Sequence, residues 1–455
     1  MGANGQANVF LGKWCQKCRR VLLFLTAFGA HRFRTSGASW ADRETVMRYS
    51  RLTQRIAGET AAAWDIHYQA QALRREGREI FLLSVGDPDF DTPTAIVEAA
   101  VSSLRRGDTH YSDVRGSLAL RQAIARRTGP EVSVEQVMVL AGAQCALYAV
   151  CQCLFGAGDE VIVAEPMYVT YHGVFGACGA QPVQVAVSPE QGFRLDPQAV
   201  AQAITSRTRG LLLNTPHNPT GCAISPEDMV QLAQLCCDHD LWLVCDQVYS
   251  GLLYDGEAVA PAQLPGMRER CVIIDSVSKS HAMSGWRVGW VVGPPALTAH
   301  LANLAMTMLF GLPEFVMQGA CVALEHDLPA VQQMREAYRE RRDLVCRALD
   351  NCPGVRAHRP AGGMFVMLDI RETGLSAQAF AQRLLTEEGV SLLPGDAFGP
   401  SGAGHVRMGL VLAAEQLEKV CCRIGACARR VLAEQAGSNI DGETENCRVE
   451  HEAYQ

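Results

Sequence analysis

Lysine occurs at only four positions in this chain of 455 residues: Lys13, Lys17, Lys279 and Lys419. Lys279 stands in Ser276-Val277-Ser278-Lys279-Ser280, directly after the apolar run 271–275. A lysine held in a mostly enclosed loop can shed its proton and form a Schiff base with an aldehyde. The plainer reading is a solvated surface lysine. An aromatic aldehyde cofactor carrying a phosphate would need three further things: a carboxylate to keep its ring nitrogen protonated, donors for its phenolic oxygen, and an anion site. Asp246 ends the apolar run 241–246, where a carboxylate is costly to bury unless a cation meets it. A pyridinium would be that cation, although a helix cap or turn explains a lone aspartate equally well. Tyr249, three residues on, and Asn218, at the exit of the preceding strand, could each donate to the phenolic oxygen.

Phosphate asks for backbone N–H groups and cations. The turn Ala141-Gly142-Ala143-Gln144 leads into a helical pattern, and the free N–H groups of a helix start bind anions. Arg287, eight residues after Lys279, and the hydroxyls of Ser276 and Ser278 would complete the cradle with charge-assisted bonds. Tyr168, in Glu165-Pro166-Met167-Tyr168, could stack on the ring, though a loop aromatic is more often simple packing. A cofactor such as pyridoxal phosphate would make these demands of the chain.

The elements that must position them follow from the hydrophobic pattern. Short β-branched runs alternate with amphipathic helical stretches, which predicts an α/β fold built on a doubly wound sheet. Strands are expected at 136–140, 160–164, 210–214, 241–246, 271–275 and 287–292, with a helix at 144–155. The polar residues cluster at the strand exits, where open α/β sheets build their sites. From about residue 324 a long charged helix, 331–348, and short strands at 364–370 and 406–409 predict a second, smaller domain.

Composition narrows the function classes. The chain is 48% hydrophobic and 20% charged with a formal net charge of −7, which suits a globular protein acting on small molecules rather than on nucleic acid or an anionic membrane. The longest apolar candidate for a membrane span, residues 21–30, is too short. The 18 cysteines include pairs in apolar contexts, such as Cys151 with Cys153, Cys236 with Cys237, and Cys421 with Cys422. They read as small buried hydrophobes in a reducing compartment. Cys15 and Cys18 have the spacing of half a zinc site, but no second half follows, and no metal is expected. Residues 1–46 are basic and lack a sustained period. Arg19-Arg20-Val21-Leu22-Leu23 faintly resembles a twin-arginine signal, but the basic region is long and the cleavage motif poor, so a cytoplasmic protein with an upstream extension is expected. Residues 437–455 are acidic and poor in apolar groups, which predicts a solvated tail.

Six segments in order resemble the class I aminotransferases of the pyridoxal phosphate fold-type I superfamily. They are Ser84-Val85-Gly86-Asp87-Pro88-Asp89-Phe90-Asp91-Thr92-Pro93, residues 111–116, Asn218-Pro219-Thr220-Gly221, Asp246-Gln247-Val248-Tyr249, residues 276–287, and Gly404-His405-Val406-Arg407. The resemblance covers residues 47–432. It implies a large domain with a three-layer, mostly parallel sheet over residues 86–319, and a smaller α+β domain from 47–85 and 320–435. Residues 1–46 and 436–455 would then be disordered ends. By resemblance Lys279 is the catalytic lysine that carries the cofactor, Asp246 pairs with its ring nitrogen, and Asn218 and Tyr249 hold its phenolic oxygen. Tyr168 is similar to the stacking aromatic. Ala143, Gln144, Ser276, Ser278 and Arg287 resemble the phosphate site, which Tyr111 would reach from the neighbouring subunit of a homodimer. Arg407 matches the arginine that grips the substrate carboxylate, with Asn218 and the backbone of Gly86 beside it. Gln247 departs from the pattern, since many relatives have Glu there.

Within the family, residues 140–154, 164–180 and 278–293 resemble bacterial members that act on L-arginine and pyruvate. The expected reaction is therefore ping-pong transfer of an α-amino group between an amino acid and a 2-oxo acid. Aminotransferases for aspartate, aromatic or other amino acids, a carbon–sulfur lyase on the same fold, and a noncatalytic regulator are the alternatives. The last would normally carry a DNA-binding module, of which residues 1–46 show no convincing pattern.

Overall fold

The computed structural model describes residues 48–57 and 64–452. The Cys15 and Cys18 pair, the Arg19-Arg20 segment and the rest of the basic stretch lie outside the described residues. Of the unit Met1–Ser50 only residues 48–50 are described, without regular structure, and the elements below belong to the unit Arg51–Gln455.

A two-residue strand, β1 (Phe81–Leu82), precedes seven strands that form one sheet. These are β2 (Val137–Leu140), β3 (Glu160–Glu165), β4 (Gln181–Ala186), β5 (Thr208–Asn214), β6 (Trp242–Asp246), β7 (Cys271–Ser276) and β8 (Gly289–Val292). Their spatial order is β2-β8-β7-β6-β5-β3-β4. The pairs from β7 to β4 are parallel, while β8 runs against both β7 and β2. Runs such as Leu211-Leu212-Leu213 and Val272-Ile273-Ile274 are buried throughout because both faces are covered. Leu211, Leu213, Cys245 and Ile273 enter one core with Leu120, Ile124, Met229 and Leu232 from helices Leu118–Thr128 and Pro226–Asp238. Leu212, Val244, Val272 and Ile274 enter the other with Ala146, Leu147, Leu297 and Leu301 from helices Ala143–Leu154 and Pro295–Met308. Alternate side chains pointing to opposite faces are what a strand's period of two dictates.

A second sheet follows along the chain. Its strands are β9 (Arg356–His358), β10 (Phe365–Asp369), β12 (Leu393–Pro394) and β13 (His405–Gly409), antiparallel in the order β12-β13-β10-β9, while β11 (Val390–Ser391) pairs in parallel with β1. Helices Pro329–Leu349, Ala377–Glu388 and Ala414–Glu452 supply Tyr338, Val345, Phe380, Leu384, Leu417 and Ile424 to the core behind it. Ser376 caps the second of these by accepting from the Ala379 amide, and Gly389 ends it in a left-handed conformation, so that helix is bounded by local chemistry.

The differences from the pattern-based reading are local. β4, an edge strand of sequence Gln-Pro-Val-Gln-Val-Ala, was not anticipated, because an edge strand needs no continuous apolar run and most of its residues are partly or fully exposed. β8 begins at Gly289 rather than 287, since Arg287 sits in the left-handed region with φ of 57°. The last helix continues to Glu452, through the segment expected to be a solvated, disordered tail from residue 436. Acidic composition argues against a core, not against a helical backbone, because Glu and Arg are good helix formers. Among cysteines whose side chains are described all are free thiols; most are buried or half-buried, and Cys422 is exposed.

Candidate active site

The carboxyl ends of β5, β6 and β7 place Asn214, Asp246 and Ser276 along one rim, with Asn214 and Asp246 directly paired in register. Parallel strands all deliver their exits to the same edge, which is why residues distant in sequence meet there. A cavity of about 160 Å³ at this rim is lined by Ala143, Gln144, Tyr168, Asn218, Asp246, Tyr249, Ser276, Ser278, Lys279 and Arg287, together with Leu147, Asn214, Val248 and Ser284. Ten of the thirteen predicted site residues thus share one space.

Asp246 is 7% exposed. Its Oδ2 accepts from the Tyr171 hydroxyl at 2.9 Å and its Oδ1 from the Val248 amide at 3.4 Å. Burial pushes its carboxyl up to about 6, against the downward pull of those two bonds. No cation pairs with it among the described residues, so a protonated ring nitrogen is the partner it lacks. Asn214 braces the rim, donating from Nδ2 to the Asp246 carbonyl at 3.1 Å and accepting from the Asn218 amide at 2.7 Å. Asn218 Nδ2 in turn donates to the Tyr249 hydroxyl at 3.5 Å, which keeps two donors together at one point of the cavity. Burial holds the Tyr249 phenol well above its usual value, so it stays a donor.

Lys279 extends from the loop after β7 and donates from Nζ to the Gly86 carbonyl at 2.7 Å. Burial lowers its ammonium to about 8, with Arg407 and Arg287 adding to the effect and Asp87 opposing it. An amine so placed is readily neutral and nucleophilic. A candidate anion site is offered by helix Ala143–Leu154, whose first turn has no side-chain cap, and by Arg287, whose Nη2 donates to the Ala141 carbonyl at 3.3 Å. Gly142 has φ of +82°, and a Cβ there would collide with the Arg287 guanidinium, so only glycine permits this approach. A buried carboxylate, an amine lining the same cavity, and an uncapped helix start next to an arginine that pairs with no carboxylate among the described residues form the donor set that pyridoxal phosphate requires.

Arg407 comes from β13, in the smaller sheet, and is 2% exposed. Nη1 donates to Asn218 Oδ1 at 2.8 Å and Nη2 to the Ser84 carbonyl at 2.7 Å, while Nε is buried without a partner. Its guanidinium lies 4.0 Å from the Phe365 ring centre and 4.9 Å from that of Phe398. Burial pushes it down to about 10. No carboxylate pairs with this buried cation among the described residues, and a substrate carboxylate would complete it. Gly86 is close for a second reason: a Cβ there would strike the Phe365 ring on which Arg407 rests.

Tyr111 lies apart from this cavity. It is 85% exposed, 4.8 Å from the Phe310 ring, and lines a separate depression with His110, Phe310 and Leu312. Sequence reasoning missed Tyr171, Asn214, Phe365 and Phe398. Asn214 carried a usable signal, a polar residue closing an apolar strand as Asp246 does, whereas the aromatics gave none beyond ordinary core composition.

A family model described as "Aminotransferase class I and II" matches residues 78–424. The chain is 63% identical over 392 residues to arginine–pyruvate transaminase AruH of Pseudomonas aeruginosa, covering 85% of this chain and 100% of that protein. It is 36% identical over 377 residues to the aspartate/prephenate aminotransferase of Thermus thermophilus, covering 81% of this chain and 96% of that one. The solved structure of the Thermus thermophilus aspartate aminotransferase with maleate superimposes with a TM-score of 0.79 at 35% identity, covering 84% of this chain and all of that one.

Proposed function

The chain belongs to the class I and II aminotransferases and is a pyridoxal phosphate-dependent transaminase; from that premise we propose that its amino donor is L-arginine and its acceptor pyruvate. The products would be 5-guanidino-2-oxopentanoate and alanine. The donor reading rests on 63% identity along the whole length of a relative named for that reaction, against 36% for the Thermus aspartate/prephenate enzyme.

The proposed roles follow the geometry. When bound, pyridoxal phosphate supplies an aldehyde that accepts amines and a pyridinium that draws off the electron pair released at the substrate Cα. Asp246 holds the ring nitrogen protonated, and its burial makes that interaction strong. Asn218 and Tyr249 would donate to the phenolic oxygen, and Tyr168 would pack on the ring. Ala143, Gln144, Ser276, Ser278 and Arg287 hold the phosphate, with Tyr111 reaching it from a second subunit of a cytoplasmic homodimer. Arg407 binds the α-carboxylate common to donor and acceptor, with Asn218 and the Gly86 backbone beside it, and so fixes the Cα–H bond relative to Lys279. Lys279 would be the cofactor's attachment point, and its neutral Nζ would take the Cα proton in one half-reaction and return a proton to Cα in the other. Because one site and one arginine serve both partners, the kinetics are ping-pong. We place the residues behind the rim in a large domain, 86–319, and assign 47–85 and 320–435 to a small domain that carries Arg407.

The test is an absorbance titration of the holoenzyme with L-arginine, L-aspartate and L-phenylalanine in turn, each followed by pyruvate. Loss of the cofactor band with L-arginine, restored by pyruvate, is the expected result. A stronger response to either other donor overturns the arginine reading and keeps the reaction class.

A further inference from the structure

Outside the cofactor cavity, the smaller sheet gathers three side chains that the transamination chemistry does not use. His358 on β9, Asp369 on β10 and His405 on β13 lie on three adjacent strands. Asp369 pairs directly with His405, and Met367 with His358, so all three point to the same face. One ligand atom from each lies within 4.8 Å of the other two.

The tautomer of the inner histidine is fixed by its surroundings. His405 is 1% exposed, and its Nδ1 lies 2.9 Å from the Ala403 carbonyl. A carbonyl only accepts, so Nδ1 carries a proton, and it is Nε2 that a metal would meet. That Nε2 is buried and unpartnered, and so is Nε2 of His358. Two buried imidazole nitrogens without partners, 5.4 Å apart between ring centres, are costly on one small sheet face unless something meets them. A backbone carbonyl holding the distal nitrogen is also how metal-binding histidines are oriented.

The carboxylate is oriented in the same way. Arg371 forks onto Asp369 from Nε to Oδ1 at 2.9 Å and from Nη2 to Oδ2 at 2.7 Å, and its amide donates to Oδ1 at 3.0 Å. A carboxylate has about four acceptor positions, so one remains on Oδ2. Arg371 also donates to Glu190 at 2.8 Å, which offsets the guanidinium charge beside the site. The Phe193 ring, 5.0 Å from His358 and 5.8 Å from His405, closes the apolar side.

We propose that His358, Asp369 and His405 form a site for one divalent transition-metal ion of the zinc class, held by two imidazole nitrogens and one carboxylate oxygen. Zinc–ligand bonds of about 2.1 Å place tetrahedral donors roughly 3.4 Å apart, so the side chains close on the ion by on the order of 1 Å. Imidazole with carboxylate selects zinc, cobalt or nickel over magnesium or calcium. The ion would cross-link β9, β10 and β13 two residues along the strand from Arg407. No spacing in the sequence announces these ligands, because they come together only through strand pairing.

The experiment uses chelator-treated holoenzyme in amino-acid-free buffer. It is titrated with Co²⁺ alone, followed by its visible ligand-field bands, and then with Zn²⁺ in competition; X-ray absorption identifies the donor atoms. The expected result is one ion per chain with nitrogen and oxygen donors, a Tm raised by Zn²⁺, and affinity at least about 100-fold weaker in His358→Gln and in His405→Gln, since even indirect supports of a metal site cost 10–100-fold. His358 is half-buried on a strand at the sheet edge, so His358→Gln decides the matter should His405→Gln fail to fold. No stoichiometric binding, sulfur donors from the cysteines, or an affinity unchanged in His358→Gln would each overturn the proposal.

Discussion

Replacing Arg407 with methionine separates two roles that a buried cation can have. In the free enzyme the guanidinium is destabilised by burial: a displacement from 12.5 to about 10 corresponds to roughly 3 kcal/mol. Arg407→Met removes that cost and places a flexible apolar chain between the Phe365 and Phe398 rings, where sulfur–aromatic contact is favourable. Against this, Asn218 Oδ1 and the Ser84 carbonyl each lose a hydrogen bond, at about 1–3 kcal/mol apiece when left unpaired. The opposing terms nearly cancel, so Tm without substrate should change little. Catalysis should not be spared. Removing one partner of a buried pair costs about 3–5 kcal/mol, so kcat/KM should fall by about 10²–10⁴ for donor and acceptor alike. Agmatine, which is arginine without its α-carboxylate, should react equally slowly with wild type and variant. The assay is single-turnover stopped flow on the cofactor band with L-arginine, pyruvate and agmatine, alongside a thermal melt. A variant that still prefers L-arginine to agmatine by the wild-type ratio would refute the carboxylate role. A collapse of Tm would refute the claim that the cation awaits an anion.

Three other perturbations test the remaining parts. Lys279→Ala should abolish turnover while the protein still binds cofactor, and a substantial half-reaction rate in stopped flow would contradict its role. Asp246 is raised from 3.8 to about 6, so the folded apoprotein binds a proton more tightly than the unfolded chain and loses stability as pH rises from about 4 to 6. Asp246→Asn should flatten that part of the apoprotein's Tm profile and slow Cα proton abstraction more than it weakens cofactor retention; an unchanged profile and rate would show that the carboxylate is not the buried anion described. Gly142→Ala places a Cβ at φ of +82° against Arg287, and should loosen the phosphate end; an unaltered cofactor dissociation constant, by equilibrium dialysis, would count against that end of the site.

How much of this was legible in the sequence depends on the range over which each feature is specified. Asp246, Ser276 and the Gly142 turn were readable from chemistry alone, because each closes or follows an apolar run that could only be a buried strand. Lys279 stood out through the scarcity of lysine. Arg407 was readable only by family resemblance: β13 is five residues long, and nothing local says that its third side chain crosses to Asn218. Tyr171 was missed because its hydroxyl meets Asp246 across 75 residues of chain. The edge strand β4 was missed since exposure removes the apolar signal that identifies the central strands.

The bond from Arg407 to the Ser84 carbonyl spans 323 residues, that from Lys279 to the Gly86 carbonyl 193, and β1 finds its partner β11 only near residue 390. Contacts of such separation demand large loop closures before they return any stability, which makes them late events in folding. A chain still emerging from the ribosome has all seven strands of the large sheet once residue 292 is free, but helices Pro295–Met308 and Glu314–Glu325, which supply Leu297, Leu301, Met317 and Ala320 to its two cores, must follow before those cores close. Its carboxylate-binding corner must wait for nearly the whole chain. The proposed cofactor residues are therefore all synthesised before Arg407, and a chain cut short after helix Glu314–Glu325 would carry the former without the latter.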